Sequence, residues 1–268
     1  MKQKVDMNKL QRTVMETGRF LSEQFGSKSL EITYKTRKDL VSDADKKAEN
    51  MLIKALRSID DIKLLSEEFH PDEKTTSSPM WIIDPLDGTT NYLSSIPLYA
   101  VSVAHYDGET IDCSACYIPS SGEYFSAIKG EGAYCNGVPV KVSSEKNIID
   151  AVVATGFADL TKDMETCSLE IFHEIIKNTR AVRRMGSAVV DLLYTAVGRF
   201  DFFWEWGLSP WDVAAGGLIV SEAGGIVTDY KGGDNWVSGG TIIASNKELY
   251  KYIFETVTKK MKTQNRRR

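Results

Sequence analysis

No apolar run in this 268-residue chain approaches the roughly twenty residues needed to cross a bilayer, so a membrane-spanning protein is not expected. The charged Met1–Asp6 stretch has no apolar segment behind it and does not read as a secretory signal. An excess of positive charge is also missing. Thirty-three Lys and Arg stand against 37 Asp and Glu, a net charge of −4, so no overall field draws in nucleic acid or an anionic membrane. Histidine is scarce. His70, His105 and His173 lie far apart, and each reads as a surface or core residue rather than a ligand. A Gly-x-Ser-x-Gly elbow is absent, which argues against a serine hydrolase, and no glycine cluster forms a dinucleotide fingerprint. The aromatic run Phe200–Trp204 lacks the basic neighbours that base stacking requires and reads as a buried strand.

Cysteine is sparse too: Cys113, Cys116, Cys135 and Cys167. Cys113 and Cys116 form a C-x-x-C, but they fall in a strand-like run, where positions three apart face opposite sides. No second C-x-x-C and no histidine cluster completes a zinc site, so scattered free thiols of a reducing, cytoplasmic compartment are expected. The basic tail, Lys259–Lys260 and Arg266–Arg268, reads as a frayed, solvated end.

What is present is a globular composition, 42% hydrophobic and 26% charged, in a chain long enough to bury a large core unaided. Leu10, Val14, Leu21 and Phe25 recur at helical spacing, and a second helix is expected from Asp43, with Ala44, Ala48, Met51, Leu52, Ala55 and Leu56 on its apolar side. Short apolar runs follow at 62–65 and 81–83, each ending in acids. A β-rich middle spans about 99–142, with Asp107 and Gly108 marking a hairpin. After about residue 147 strands and helices alternate. Strands are expected at 151–155, 200–204 and 241–244, and helices at 164–177, 187–197 and 211–223, the last stopped by Gly224. Asn246 is expected to cap a final helix. There is no internal repeat or linker. The expected organisation is an α+β subdomain over 1–145 with an antiparallel sheet, joined to an α/β subdomain over 146–268.

The densest chemical signal is Trp81–Tyr92, WIIDPLDGTTNY. A buried strand delivers Asp84 at its carboxyl end, Pro85 is expected to turn the chain, and Asp87 follows where a turn brings both carboxylates together. Gly88 permits close backbone approach, and Thr89, Thr90 and Asn91 offer N–H groups and hydroxyls at an expected helix start, a phosphate cradle. Taken alone, the pentapeptide Asp84–Gly88 is also an ordinary turn between strands. Further acids stand in similar places: Glu67 and Glu68 after a strand, Asp212 opening a helix, and Asp43 and Asp45 at a helix start, where they also suit capping. Gathered without a cation these carboxylates would repel one another, whereas a bound divalent metal removes the penalty and makes an acidic pocket attract phosphate.

These segments resemble the inositol monophosphatase family. Its G-E-E-like element appears as Ser66–Glu68, its W-I-[IV]-D-P-[IL]-D-G-T-x-N-F as Trp81–Tyr92, and its W-D-x-A-A-G as Trp211–Gly216, with Glu205 upstream. Residues Asp39–Asp45 match its D-L-V-T-x-x-D element, and the resemblance runs from about residue 35 to 225. It implies a layered αβαβα sandwich and a Mg²⁺-dependent phosphomonoesterase with two or three ions. By position, Glu67, Asp84 and the Leu86 carbonyl would hold one Mg²⁺; Asp84, Asp87 and Asp212 a second; and a weaker third would lie near Glu67. Asp45 and Thr89, with Glu67 assisting, would orient the attacking water. Gly88 and Thr89 would contact phosphate, while Asp87, Ala188, Glu205 and Asp212 would face the substrate. The resemblance also implies a small phosphorylated polyol as substrate, lithium sensitivity and a homodimer. Ser66, Phe69 and Tyr92 depart from the commoner residues without removing a ligand, and the lysine preceding the D-L-V element is either Lys35 or Lys38. A fructose-1,6-bisphosphatase is the nearest alternative, with Arg180, Arg183 and Arg184 as candidates for the basic group that a second phosphate needs, although they read first as surface charge. Another sugar or nucleotide phosphatase is a weaker rival. A regulatory binding protein on the same fold is the alternative of another class.

Overall fold

The computed structural model describes residues 5–27, 32–34, 40–71, 77–157 and 167–265. The first half contains α1 (Met7–Gln24), β1 (Ile32–Tyr34), β2 (Leu40–Ser42), α2 (Asp43–Arg57), β3 (Lys63–Ser66), β4 (Met80–Asp87) and α3 (Thr89–Leu93). A meander follows: β5 (Ala100–Tyr106), β6 (Ile111–Ile118), β7 (Glu123–Ile128), β8 (Gly132–Cys135) and β9 (Val138–Pro139). The second half contains β10 (Val152–Thr155), α4 (Ser168–Asn178), β11 (Ala181–Arg183), α5 (Ala188–Ala196), β12 (Phe202–Trp206), α6 (Pro210–Glu222), β13 (Ile226–Thr228), β14 (Thr241–Ser245) and α7 (Tyr250–Asn265). None of the described helices is long and apolar enough to cross a membrane.

β3 to β9 form a seven-stranded sheet in sequence order, parallel only between β3 and β4. The second sheet has five strands ordered β11-β10-β12-β14-β13, parallel across the first three and antiparallel beyond. Alternation along the strands stacks the layers, because successive side chains face opposite sides. Trp81, Ile83, Val101 and Val103 face the apolar stripes of α1 and α2, whereas Ile82, Ala104 and Phe125 face α5 and α6. Those two helices are apolar around most of their circumference, Asp191 and Asp212 apart, as suits a layer buried between two sheets. Beyond them lie Ala154, Phe203, Ile242 and Ala244 of the second sheet. Val153, Phe202, Trp204 and Ile243 face outward against Ile171 and Ile175 of α4 and Ile253 and Val257 of α7. The order is helix, sheet, helix, sheet, helix: the αβαβα sandwich that the resemblance implies.

Several local expectations are corrected. Pro85 does not turn the chain; β4 continues to Asp87, and its register against β5 shifts between Asp84 and Asp87. A proline lacks the ladder N–H, so the strand accommodates it as a bulge. The helix expected from 164 begins at Ser168, and residues 164–166 lie outside the described residues, as do Lys35 and Lys38. Asn246 accepts the Leu249 N–H at 2.8 Å and so caps the turn leading into α7. The basic tail is not frayed over its whole length. α7 runs to Asn265 because Ile253 and Val257 dock on the sheet, and Lys260 reaches Glu174 of α4 at 3.1 Å. Residues 266–268 lie outside the described residues. The strands β11 and β13, three residues each, are too short for periodicity to reveal. His105, expected to be isolated, has its Nδ1 2.6 Å from Asp112 Oδ1 and its ring edge-on to Trp81.

Candidate metal and phosphate site

The acids collect where the carboxyl ends of β3 and β4 meet the amino ends of α2, α3, α5 and α6. Asp84 and Asp87 sit three residues apart on β4 and would face opposite sides of a regular strand. The bulge between them puts both on one side, and carboxylate oxygens of Asp84, Asp87 and Asp212 come within 4.8 Å of one another. Burial pushes the Asp84 carboxyl well above its usual range, and the charges of Glu67, Asp87 and Asp212 push it further. Burial likewise raises Asp87 to about 6, against hydrogen bonds from the Ser187 hydroxyl and the Val189 and Ala188 amides. Asp212 rises to about 7 through burial and the charge of Asp87. Asp84, which is buried, and Asp87 and Asp212, at the edge of a cavity, oppose one another's ionisation and form an all-oxygen, anionic donor set, which suits a hard divalent cation such as Mg²⁺.

Local motifs set each side chain. Asp212 is the third residue of α6, and its Oδ2 accepts the Ser209 N–H at 2.6 Å. Asp45 holds the same position in α2: its Oδ2 accepts the Ser42 N–H at 2.9 Å and the Ser42 hydroxyl. Its other oxygen lies 3.0 Å from the Thr89 hydroxyl, which is also 3.1 Å from the Leu86 carbonyl oxygen. Burial raises the Asp45 carboxyl above its usual range, against those donors. Gly88 precedes α3 with φ of +97°, and a Cβ there would come within 3.0 Å of the Leu98 carbonyl oxygen, so both conformation and space call for glycine. The segment 88–91 thus starts a helix as expected, with Thr89 first.

A cavity of about 210 Å³ opens beside this cluster, lined by Asp87, Ala188, Glu205 and Asp212 together with Gly156, Arg184 and Asp191. Glu205 and Phe203 alternate with Trp204 along β12, so the strand that buries its aromatics in the core turns Glu205 inward. Asp45, Glu67, Asp84 and Thr89 do not line the cavity. The expected site residues therefore form two groups that meet at Asp87 and Asp212. Ala188 lines the cavity, but its amide is spent on Asp87. Of the three arginines, Arg184 alone reaches it. Arg180 pairs with Asp150, and Arg183 donates to the Val182 carbonyl.

Glu49, Ser187 and Gly156 were not foreseen, and Asn91, expected at the helix start, takes a further role through its side chain. Glu49, fully buried on α2, accepts the Ser66 hydroxyl at 2.6 Å and the Glu68 and Phe69 amides at 3.0 and 2.9 Å. It thereby holds the loop carrying Glu67. An acid on the stripe of Asp45, Ala48, Leu52 and Leu56 was the available signal. Ser187 donates to Asp87, and Asn91 ties α3 to the Met185 and Leu98 carbonyls. Gly156 approaches Glu205 so closely that any Cβ would strike its carboxylate.

A profile of the inositol monophosphatase family matches residues 4–262. The chain is 37% identical to the inositol-1-monophosphatase of Mesorhizobium japonicum, over 94% of this chain and 96% of that one. It is also 37% identical to the Nus factor SuhB of Escherichia coli K12, over 90% and 91%. Among solved structures, the extragenic suppressor protein suhB of Bartonella henselae superimposes with a TM-score of 0.87 at 36% identity, covering 94% of this chain and 98% of that one. The chain belongs to the inositol monophosphatase family.

Proposed function

We propose that this protein is a Mg²⁺-dependent phosphomonoesterase that hydrolyses inositol monophosphate or a similar small polyol phosphate. The observation that carries the reading is the clustered Asp84–Asp87–Asp212 set, adjoining the Asp45–Thr89 pair on one side and a polar cavity on the other. Glu67, Asp84 and the Leu86 carbonyl would hold one ion, Asp84, Asp87 and Asp212 a second, and a third would lie near Glu67. When bound, Mg²⁺ supplies the charge that acidifies a neighbouring water and offsets negative charge developing on the phosphoryl and leaving oxygens.

The protein's own groups do the rest. The Thr89 hydroxyl, donating to Asp45, keeps a lone pair for a water proton, and Asp45 is the sink to which that proton passes, with Glu67 assisting. The Gly88 and Thr89 amides open α3, where N–H groups without helical partners face a phosphate. Asp87, Ala188, Glu205 and Asp212 shape the space for the alcohol part, and their carboxylates accept hydrogen bonds from its hydroxyls. The reading extends to a cytoplasmic homodimer inhibited by lithium.

Phosphate release tests it, measured from inositol 1-phosphate, fructose 1,6-bisphosphate, adenosine 3′,5′-bisphosphate, histidinol phosphate and NADP⁺ with Mg²⁺ or EDTA. Release that needs Mg²⁺ and is led by inositol phosphate is expected. Fructose bisphosphate in the lead would make Arg184 the second-phosphate group and change the substrate while keeping the chemistry. A second reading, regulatory binding to a partner protein, is favoured by the likeness to proteins named Nus factor SuhB. It becomes the leading one if no phosphomonoester is turned over.

A further inference from the structure

The motif that the site leaves unused is the C-x-x-C. Its two thiols point into different layers as expected, Cys116 toward α5 and α6 and Cys113 toward α1 and α2. Cys113 is not alone there. It lies directly across the β5–β6 ladder from His105, and His105 lies across β4–β5 from Trp81, so all three share one face of the sheet. The register then shifts. Tyr106 pairs with Ile111, which leaves Asp112 as an extra residue on β6. A bulge re-aims the extra side chain, and Asp112 joins the face of Cys113 instead of alternating away from it. Atoms of His105, Asp112 and Cys113 consequently lie within 4.8 Å of one another, each offering a different donor: imidazole nitrogen, carboxylate oxygen and sulfur.

We propose that His105, Asp112 and Cys113 form a binding site for a borderline-soft divalent cation of the zinc class, separate from the acidic cluster. The donor chemistry separates the two. Asp84, Asp87 and Asp212 present oxygen alone, which suits Mg²⁺, whereas a nitrogen–oxygen–sulfur set suits Zn²⁺ or Cd²⁺ and is poor for Mg²⁺. Bonds of about 2.0–2.3 Å to a tetrahedral ion place ligand atoms about 3.4–3.8 Å apart. The 2.6 Å His105–Asp112 contact would open by roughly 1 Å on that geometry as the ion replaces their shared proton. His105 and Cys113 are 6% and 4% exposed, but the Asp112 side chain is 35% exposed, giving an ion an approach and a water a fourth position. Burial, then the Asp112 charge, pushes the Cys113 thiol upward. That speaks against a free nucleophilic thiolate and means that an entering ion releases the thiol proton. The site sits three residues before Asp84 on the β4 register, about 10 Å along the strand. It stands or falls independently of the phosphatase reading.

The test is titration of the full-length, reduced protein with Cd²⁺ in saturating Mg²⁺, followed by the ultraviolet sulfur-to-cadmium charge-transfer band. Carboxylate-bound Cd²⁺ gives no such band. One equivalent per chain is expected to raise it, and Zn²⁺ to displace it. Cys113→Ser abolishes it, while Cys116→Ser, Cys135→Ser and Cys167→Ser leave it. Should Cys113→Ser fail to fold, Asp112→Asn, on the partly exposed ligand, is expected to weaken Cd²⁺ binding at least tenfold. No band in the wild type, a band surviving Cys113→Ser or lost in Cys135→Ser, or unchanged affinity in Asp112→Asn would each overturn the assignment.

Discussion

The amino ends of α2 and α6 are built alike. Each helix carries an aspartate at its third position, Asp45 and Asp212, whose Oδ2 accepts the N–H of the serine capping the helix. One oxygen of each acid is thus tied down locally, and its partner is left for tertiary neighbours. In α2 that second oxygen meets the Thr89 hydroxyl; in α6 the acid meets Asp84 and Asp87. In the proposed function the same capping device would serve a proton acceptor in one place and a cation ligand in the other. What differs is the neighbour: a neutral donor relieves the charge of Asp45, whereas fellow acids compound that of Asp212.

The sharpest test of that contrast is Asp212→Asn. It removes a charge from the proposed ligand set and is expected to lower kcat/KM by on the order of 10³ and to weaken Mg²⁺ binding, read from rates across a Mg²⁺ series. Asp45→Asn is expected to cost about 10² in kcat while leaving the Mg²⁺ dependence in place. Equal loss of Mg²⁺ affinity in both variants would erase the distinction and make Asp45 a ligand.

A pH experiment isolates the acid cluster. Asp87 and Asp212 titrate near 6 and 7 in the fold against an ordinary 3.8, so between about pH 4 and 7 the metal-free folded protein holds more protons than the unfolded chain. The stability this contributes is present at low pH and lost as pH rises through 6 to 7. Denaturant midpoints in EDTA are expected to be higher at pH 5.5 than at pH 8, and Mg²⁺ to flatten or reverse that trend by favouring the ionised acids. A midpoint in EDTA that climbs from pH 5.5 to 8 would show that these acids do not dominate. The smallest effect is expected of Ser42→Ala, which removes the hydroxyl donating to Asp45 and should cost about 1 kcal/mol in chemical denaturation with most activity kept. A loss of activity as deep as that of Asp45→Asn would mean that the cap itself holds Asp45 in place.

Much of this was legible in the chain because it is local. Periodicity exposed α1 and α2, the Asp107–Gly108 turn exposed the β5–β6 hairpin, and an apolar strand ending in acids exposed the start of the site. The bulge at Pro85 was misread as a turn, since a proline after an aspartate looks the same in both until the partner strand is known. Glu49 escaped because its partners, Ser66, Glu68 and Phe69, lie at and just beyond the end of β3, 17 or more residues away. His105 escaped because its neighbours come from register rather than sequence spacing.

By itself, then, the sequence determined most of the segments and the acids that end them, since helix and strand periods, caps and buried runs depend on near neighbours, while the order of the layers came with the family resemblance. Only the tertiary structure decided which oxygens face one another, that Asp87 and Asp212 join a cluster to a cavity, and that a histidine, an aspartate and a cysteine meet across two strands. Those outcomes turn on strand register and on bulges of a single residue, which change the face a side chain occupies without changing the local pattern that predicts the strand.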